Sequence, residues 1–514
     1  MKRAGNSLVV PLSDRLAPGT PLRAQIYRDL RGAILEGRLK PGERLPSTRM
    51  LSAEMSVSRN TTENAYEQLV AEGYLSRRVG SGTFVAACLP GRPLGARGVL
   101  RPAPSSEGPR GLSARGRSLA RSLTCNDPLS VRAFGAGFPA LEEFPADTWR
   151  RLTSRRLRTA RASLLGYGDP AGYPPLREAI ARYLSESRGA RCRPEEVLVL
   201  TSSLQAIDLA ARMVLDPGDA VWIENPFFPG AHTALESAGA KLHAIPVDVG
   251  GLRVDEGERA APKARLAYVT PSHQYPTGVT MSLERRLALL SWARRADAWI
   301  LEDDYDSEFR YGGRPIAAIH GLDRAGRVLY LGTFTKSLFP SIRVAYLVVP
   351  PGLSAAFVHA RRQMDGHTAT LPQAVIADFL DEGHFAAHLR RMRGIYRERR
   401  DALVEAFDRE LGKAARFGPT DGGFQTVLYL PEGQDDREVA RRAAGSGIDV
   451  TPLSRYTRGK GEPGLILGYS ALTPDAIGAG ARGLAKVLKA RSDVRPARAP
   501  IAPASPMAGP RFRP

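Results

Sequence analysis

The sequence predicts a multidomain protein: a small helical head closed by a hairpin, an α/β body on a mainly parallel sheet, and a small C-terminal α+β part. Three observations predict this. Helix caps and stops recur at short spacing up to residue 86. From Pro128, strand-length apolar runs alternate with helical stretches. Between them, residues 87–126 are rich in Pro, Gly, Ser and Arg without sustained periodicity. A chain of 514 residues is long for one core, so two or three domains are expected.

In the head, a first helix is predicted over 20–37, with Thr20 as cap, Pro21 at the first helical position and Gly37 as stop. Ser47 suits the cap of a second helix through Met55, and Ser58 that of a third through Ala71. Tyr74–Val79, a Gly80-Ser-Gly82 turn and Thr83–Val85 form a hairpin. Helix, helix-turn-helix and hairpin make a winged helix-turn-helix, whose recognition helix lies in the DNA major groove.

The formal charge of +20 points the same way, toward a polyanionic partner. Much of it sits in arms: the 87–126 linker, which should be disordered, and the arginine-bearing tail 491–514. Solubilising linkers would carry the same charge, so the motif weighs more than the total. Cys88, Cys125 and Cys192 are scattered and form neither a disulfide framework nor a zinc motif, which fits a reducing cytoplasm. No apolar run of membrane-spanning length occurs, and the basic N-terminus lacks a signal-peptide core.

The stretch LKPGERLPSTRMLSAEMSVSRNTTENAYEQLVAEGYLSRRVGSGTFV resembles the DNA-binding head of GntR-type regulators, over residues 12–86. The resemblance fixes LPSTR, the SRNT helix start, AYEQLVAEGYL and the GSGTFV wing together. It implies that Arg49 and Arg59 contact double-stranded DNA, with Ser58, Asn60 and Thr61 at the groove-facing helix start and Gly82 shaping the wing. Ser56 stands where this family often has Gly, at a small cost in turn stability.

In the body, strands are predicted at Val197–Leu200, Ala220–Ile223, Lys241–Ile245, Leu266–Val269, Trp299–Leu301 and Val328–Leu331. Five are followed by polar clusters: Thr201–Gln205, Glu224–Phe228, Pro271–Gln274, Glu302–Tyr305 and a tight turn around Lys336. Ligands of open α/β sheets bind outside the carboxyl ends of strands, so these clusters should converge on one site.

Their chemistry suits pyridoxal 5'-phosphate (PLP). Lys336, among Thr333, Thr335 and Ser337 and upstream of Arg343, supplies an amine for the aldehyde beside phosphate donors. Asp303 can keep the pyridine nitrogen protonated, and Tyr305 can face the phenolic oxygen. Phe228 is the candidate stacking ring. Ser202 and Ser203 open a helix whose N–H groups and hydroxyls suit an anion, and Thr333, Thr335 and Arg343 add donors.

Over residues 127–490 the motifs YGDPAGYPPLREAIARYL, LDPGD, TPSHQYPTG, EDDYDSEFRY and TFTKSLFPSIRVAY resemble fold-type I aminotransferases. The large part would span 127–369 and the small part 370–490. Head, linker and aminotransferase-like body in this order are similar to MocR/GabR-type bacterial regulators. That resemblance implies Lys336 as the Schiff-base lysine, Asp303 on the pyridinium, Tyr305 on the phenolic oxygen and Arg343 on the phosphate. It also implies a homodimer in which Tyr167 reaches the neighbouring subunit's phosphate. The expected function is a PLP-dependent transcriptional regulator that senses an amine, amino acid or B6 vitamer. The alternative is an active aminotransferase with an accessory head.

Two positions depart from the enzymes. The TSSLQA loop lacks their usual glycine, and Tyr275, counted among the cofactor contacts, stands before PTG where they place Asn. Both shift the expectation from turnover toward sensing. Arg455 is the candidate clamp for an effector carboxylate. Adjacent acids in EDDYD would also suit a hard metal, but the basic, hydroxyl-rich turn nearby favours PLP. His384 and His388 have metal-pair spacing on a basic helix without adjacent acids, so they are assigned structural or solvated roles and no metal is expected.

Overall fold

Two serines set the frame of the head. Ser47 Oγ accepts from the Met50 N–H at 3.2 Å and Ser58 Oγ from the Thr61 N–H at 3.1 Å, each satisfying an amide that a helix start leaves without a partner. The computed structural model describes residues 21–89, 111–122, 132–160, 162–312 and 317–490, which divide into two units near residue 111. In the first, α1 (Leu22–Leu35), α2 (Thr48–Glu54) and α3 (Arg59–Ala71) precede an antiparallel pair, β1 (Leu75–Arg78) and β2 (Gly82–Val85). Ile26, Leu30, Ile34, Leu51, Tyr66, Leu69 and Val85 fill its core. The buried Tyr66 hydroxyl donates to the Pro46 carbonyl at 3.0 Å and so ties α3 to the entry of α2. Ser56 adopts φ 54° in the tight turn, the left-handed backbone for which glycine is the cheaper choice.

Two expectations change here. Pro21 is the N-cap of α1 rather than its first helical residue, and Thr20 lies outside the described residues. The linker contains a helix, Ala114–Arg121, whose Ser113 cap accepts from the Gly116 N–H at 3.0 Å. It buries no residue, so no apolar periodicity betrayed it; its serine cap and its contact with helix Pro229–Ser237 support it. The tail 491–514 and most of the remaining linker lie outside the described residues.

The second unit is built on eight strands: β3 (Val197–Leu200), β4 (Ala220–Asn225), β5 (Lys241–Asp248), β6 (Gly251–Leu252), β7 (Leu266–Val269), β8 (Trp299–Asp303), β9 (Val328–Thr333) and β10 (Ala345–Val348). Their order is β3-β10-β9-β8-β7-β4-β5-β6. The run β9-β8-β7-β4-β5 is parallel, while β10 is antiparallel to both β3 and β9. β3, β7, β9 and β10 are buried along their whole length, which is why they read as continuous apolar runs. Trp222 and Trp292 stack on one face with centroids 3.8 Å apart, and each buried aromatic of this size contributes roughly 3 kcal/mol. β4, β5, β8 and β9 run two or three residues past their predicted ends, because polar residues there still pair in the ladder.

The small part holds an antiparallel sheet of β11 (Arg416–Phe417), β12 (Gln425–Tyr429), β13 (Thr451–Pro452) and β14 (Gly464–Gly468), in the order β11-β12-β14-β13. Long helices His384–Leu411 and Pro474–Lys489 cover it. Its boundaries differ from the predicted 370. Helix Thr370–Asp381 packs on the large-part helices Ala146–Arg158 and Pro174–Arg188. Conversely, the chain around Phe134 belongs to the small part: the Asp449 and Gly468 N–H groups donate to the Ala133 and Phe134 carbonyls, each at 2.9 Å. Gly468 permits this approach, since a Cβ there would lie 2.3 Å from the Gly135 oxygen. No helix among the described residues is long and apolar enough to cross a membrane.

Candidate functional site

In the head, Arg49, Ser58, Arg59 and Asn60 are exposed and Thr61 is half-buried, its hydroxyl 2.7 Å from that of Ser58. Arg59 meets Glu63 at 3.8 Å, a loose exposed pair that a phosphate could replace at little cost. Gly82 takes φ 113°, and the Arg44 guanidinium lies where a side chain would go, with Nε 3.0 Å from the ideal Cβ. Arg78 stacks on Phe84 at 4.8 Å. Arg44 and Arg78 thus join the basic surface of the wing; only the register of the hairpin, invisible in sequence, brings them there.

In the body, register aligns the strand ends. Ala345 of β10 pairs with Leu200 on one side and Thr333 on the other, so Ser202-Ser203 and Phe334–Ser337 leave the sheet at one level. Asp303 pairs with Leu331, two residues before Thr333. The tight turn around Lys336 is a single helical turn, Phe334–Ser337, capped by Thr333, whose hydroxyl accepts from the Thr335 N–H at 3.1 Å. Lys336 Nζ donates to the Gly137 carbonyl at 2.6 Å. His388 Nε2 lies 3.1 Å from the Ser337 carbonyl and pins the same turn from the long helix, whereas His384 meets Glu382 at 3.3 Å.

Asp303 is the buried acid of the site. Its Oδ2 accepts from the Tyr268 hydroxyl at 2.7 Å, while Oδ1 has no hydrogen-bond partner among the described residues. Burial raises its carboxyl to about 7; Asp304 and Asp306 add to the rise, and Tyr268 and Lys336 oppose it. A buried acceptor left open beside a primary amine is what a protonated pyridine nitrogen would satisfy, so these residues fit PLP. The other acids of EDDYD turn away: Asp304 pairs with Arg188 at 2.7 Å and accepts from Tyr330 at 2.5 Å, and Asp306 faces His273. Among the described residues no group of three or more His, Cys, Asp or Glu could hold a metal.

Tyr275 is the centre of an aromatic wall, with ring centroids 5.3 Å from Phe228, 6.3 Å from Tyr305 and 6.0 Å from Tyr456. Gly230 holds Phe228 close to the helix opened by Ser203, since a Cβ there would lie 2.7 Å from that ring and 2.6 Å from Leu204. Behind the wall, buried Glu224 accepts from the Thr270 hydroxyl at 2.6 Å and Gln274 Nε2 at 3.3 Å, and burial raises it to about 7. Gln274 also donates to the Pro226 carbonyl at 2.8 Å, joining the Phe228 and Tyr275 loops.

In the phosphate region, Ser202 is buried and caps its helix by accepting from the Gln205 N–H at 3.2 Å. Gln205 Oε1 accepts from Thr201, so the side chain closes the loop that lacks glycine. Ser203 and Thr335 are half-buried, and Arg343 is exposed with φ 49°, a strained backbone of the kind that binding sites retain. Tyr167 is 100% exposed in the single chain. Arg455 lies in the turn Leu453–Tyr456, beside the aromatic wall. Its neighbour Arg458 binds Asn225, the backbone N–H donating to Oδ1 at 2.9 Å, and approaches His232 at 2.5 Å. The sequence marked His273 and Gln274 only as members of the Pro271–Gln274 cluster, without individual roles, and it marked neither Tyr268 nor Arg458.

Comparison with known proteins places these geometries. The gntR family of bacterial regulatory proteins matches residues 22–85, and the class I and II aminotransferases match residues 133–461. The probable rhizopine catabolism regulatory protein MocR of Rhizobium meliloti is 43% identical, over 90% of this chain and 93% of its own. The pyridoxine biosynthesis transcriptional regulator PdxR of Corynebacterium glutamicum is 30% identical over 89% of this chain and 94% of its own. The α-aminoadipate aminotransferase of Thermus thermophilus, complexed with N-(5'-phosphopyridoxyl)-L-leucine, aligns at a TM-score of 0.65 and 32% identity, covering 73% of this chain and 95% of that one.

Proposed function

The chain belongs to the MocR-type regulators, GntR-headed transcription factors with a fold-type I, PLP-dependent aminotransferase-like body, and from that premise we propose that its body senses a primary amine, an amino acid or a B6 vitamer. One observation carries the proposal: Lys336 lies near enough to act on the charge of Asp303, whose Oδ1 is open, in a chain whose head keeps both its recognition helix and its wing. Bound PLP supplies a carbon that a primary amine can attack in competition with Lys336.

This chain's own residues have distinct tasks. Asp303 would hold the pyridine nitrogen, Phe228 would stack on the ring, and Tyr305 and Tyr275 would line the site beside it. Ser202, Ser203, Thr333, Thr335 and Arg343 receive the phosphate. Arg455 is the candidate anchor for an effector carboxylate, and the fully exposed Tyr167 is assigned to a neighbouring subunit's phosphate in a cytoplasmic homodimer. Arg49, Ser58, Arg59, Asn60, Thr61 and Gly82 form the contact surface for double-stranded DNA. An effector biases the DNA-bound form only if its affinity differs between the body's conformations.

The test is a panel of amines, amino acids and B6 vitamers added to the purified PLP form, read by absorbance and by affinity for the upstream DNA. A compound that moves both readouts supports the proposal. Steady turnover of an amino donor and a 2-oxo acid, with no effect on DNA affinity, would establish the aminotransferase alternative that Tyr275 argues against.

A further inference from the structure

Three segments meet at one buried imidazole. His273 comes from the loop after β7, Tyr305 and Asp306 from the loop after β8, and Gly423 from the small part just before β12. His273 Nδ1 lies 3.0 Å from the Tyr305 hydroxyl and 2.9 Å from Asp306 Oδ2. The nearby Asp306 carboxyl favours the tautomer with its hydrogen on Nδ1, and that hydrogen can point at the Tyr305 oxygen. In that tautomer the Tyr305 oxygen accepts from His273, and its own proton remains for a different acceptor.

The groups around the ring hold this arrangement. Burial is the largest influence and opposes a charge on His273, with Arg310 adding to it, but Asp306 and Asp421 together raise the imidazole above its ordinary pKa. Asp421 and Arg310 themselves pair at 2.9 Å across the seam between small and large parts. Gly423 shares that seam, its N–H donating to the Phe309 carbonyl at 2.9 Å. Its φ is 76°, and a Cβ there would lie 2.1 Å from His273 Cε1. The small part thus touches the imidazole with bare backbone. Nε2 has no hydrogen-bond partner among the described residues, and a polar cavity of about 220 Å³ lies beside the ring. The ring has room to turn if the backbone behind it moves.

We propose that His273 is a positioning residue that aims the Tyr305 proton at the cofactor's phenolic oxygen, and that Gly423 makes this aim depend on where the small part sits. The proposal rests on the cofactor placement above. It gives the small part a route to the cofactor's electronics without any contact to the cofactor.

The test uses the full-length PLP form and its visible absorbance titrated with pH, with visible circular dichroism reporting cofactor orientation and thermal melting reporting integrity. His273→Phe keeps the bulk and removes Nδ1, and should move the titration midpoint by about one pH unit. His273→Asn places an amide N–H near the Nδ1 position and should restore the midpoint. Gly423→Ala should move it in the same direction as His273→Phe, although it alters no polar group. An unchanged midpoint in a folded His273→Phe protein overturns the positioning role, and an unchanged midpoint in a folded Gly423→Ala protein overturns the coupling to the small part. Failure of the unsubstituted protein to develop visible absorbance with PLP would instead remove the cofactor placement itself.

Discussion

In the head, Arg49 and Arg59 stand in water, and the acid that meets Arg59 is 3.8 Å away; in the body, Asp303, Glu224 and Asp306 are buried, and two of them are raised to about 7. The head therefore offers charge at full strength to a large polyanion, in a form that salt screens. The body keeps a few groups away from water, where each unmet hydrogen bond is costly and a small ligand can supply it. Ionic strength should tune the one region, and proton and cofactor occupancy the other.

The strongest way to separate the two is Lys336→Ala. It should abolish the visible absorbance of bound PLP and the effector response while leaving DNA affinity without effector unchanged; a surviving effector response would break the division. Asp303→Asn should weaken PLP binding roughly 10- to 100-fold, measured by absorbance titration, because a charge-assisted bond to the ring nitrogen is lost. Arg59→Ala should weaken DNA binding about 10-fold and lower the salt slope by about one, with the PLP spectrum intact.

Proton linkage sharpens the body's side of the contrast. Asp303 has an ordinary pKa of 3.8 and is raised to about 7 when folded. The folded state then binds the proton more tightly, so this stabilising term is present below the unfolded value and is lost as pH rises through about 7. PLP, which pairs the charged form, should flatten that loss. Melting temperatures from pH 5 to 8 with and without PLP should converge at the acid end and separate toward the alkaline end. The smallest effect expected is Ser58→Ala, which should lower the head's stability by about 1 kcal/mol in thermal unfolding.

The same contrast explains what could be seen in the sequence. Ser47, Ser58 and the apolar strands announce themselves because caps and burial periods are local. Lys336 and Asp303 could be singled out as candidates because Asp303 ends a buried strand and Lys336 comes just after another. Tyr268 was not, since an aromatic inside an apolar strand reads as core until its hydroxyl is found on Asp303. The place of the Phe134 segment in the small part was equally hidden, because it depends on pairing with residues more than three hundred positions away. The linker helix escaped because it has no buried face.

The bond from Lys336 to Gly137 has a consequence of its own. Gly137 follows directly on the segment that the small part holds through Phe134. A free ammonium has three hydrogens to give, whereas the same nitrogen in a covalent link would keep at most one. If Lys336 holds PLP as proposed, the Gly137 contact and that covalent bond compete for one nitrogen. The lysine would then work as a changeover contact, closed on one circuit only when open on the other.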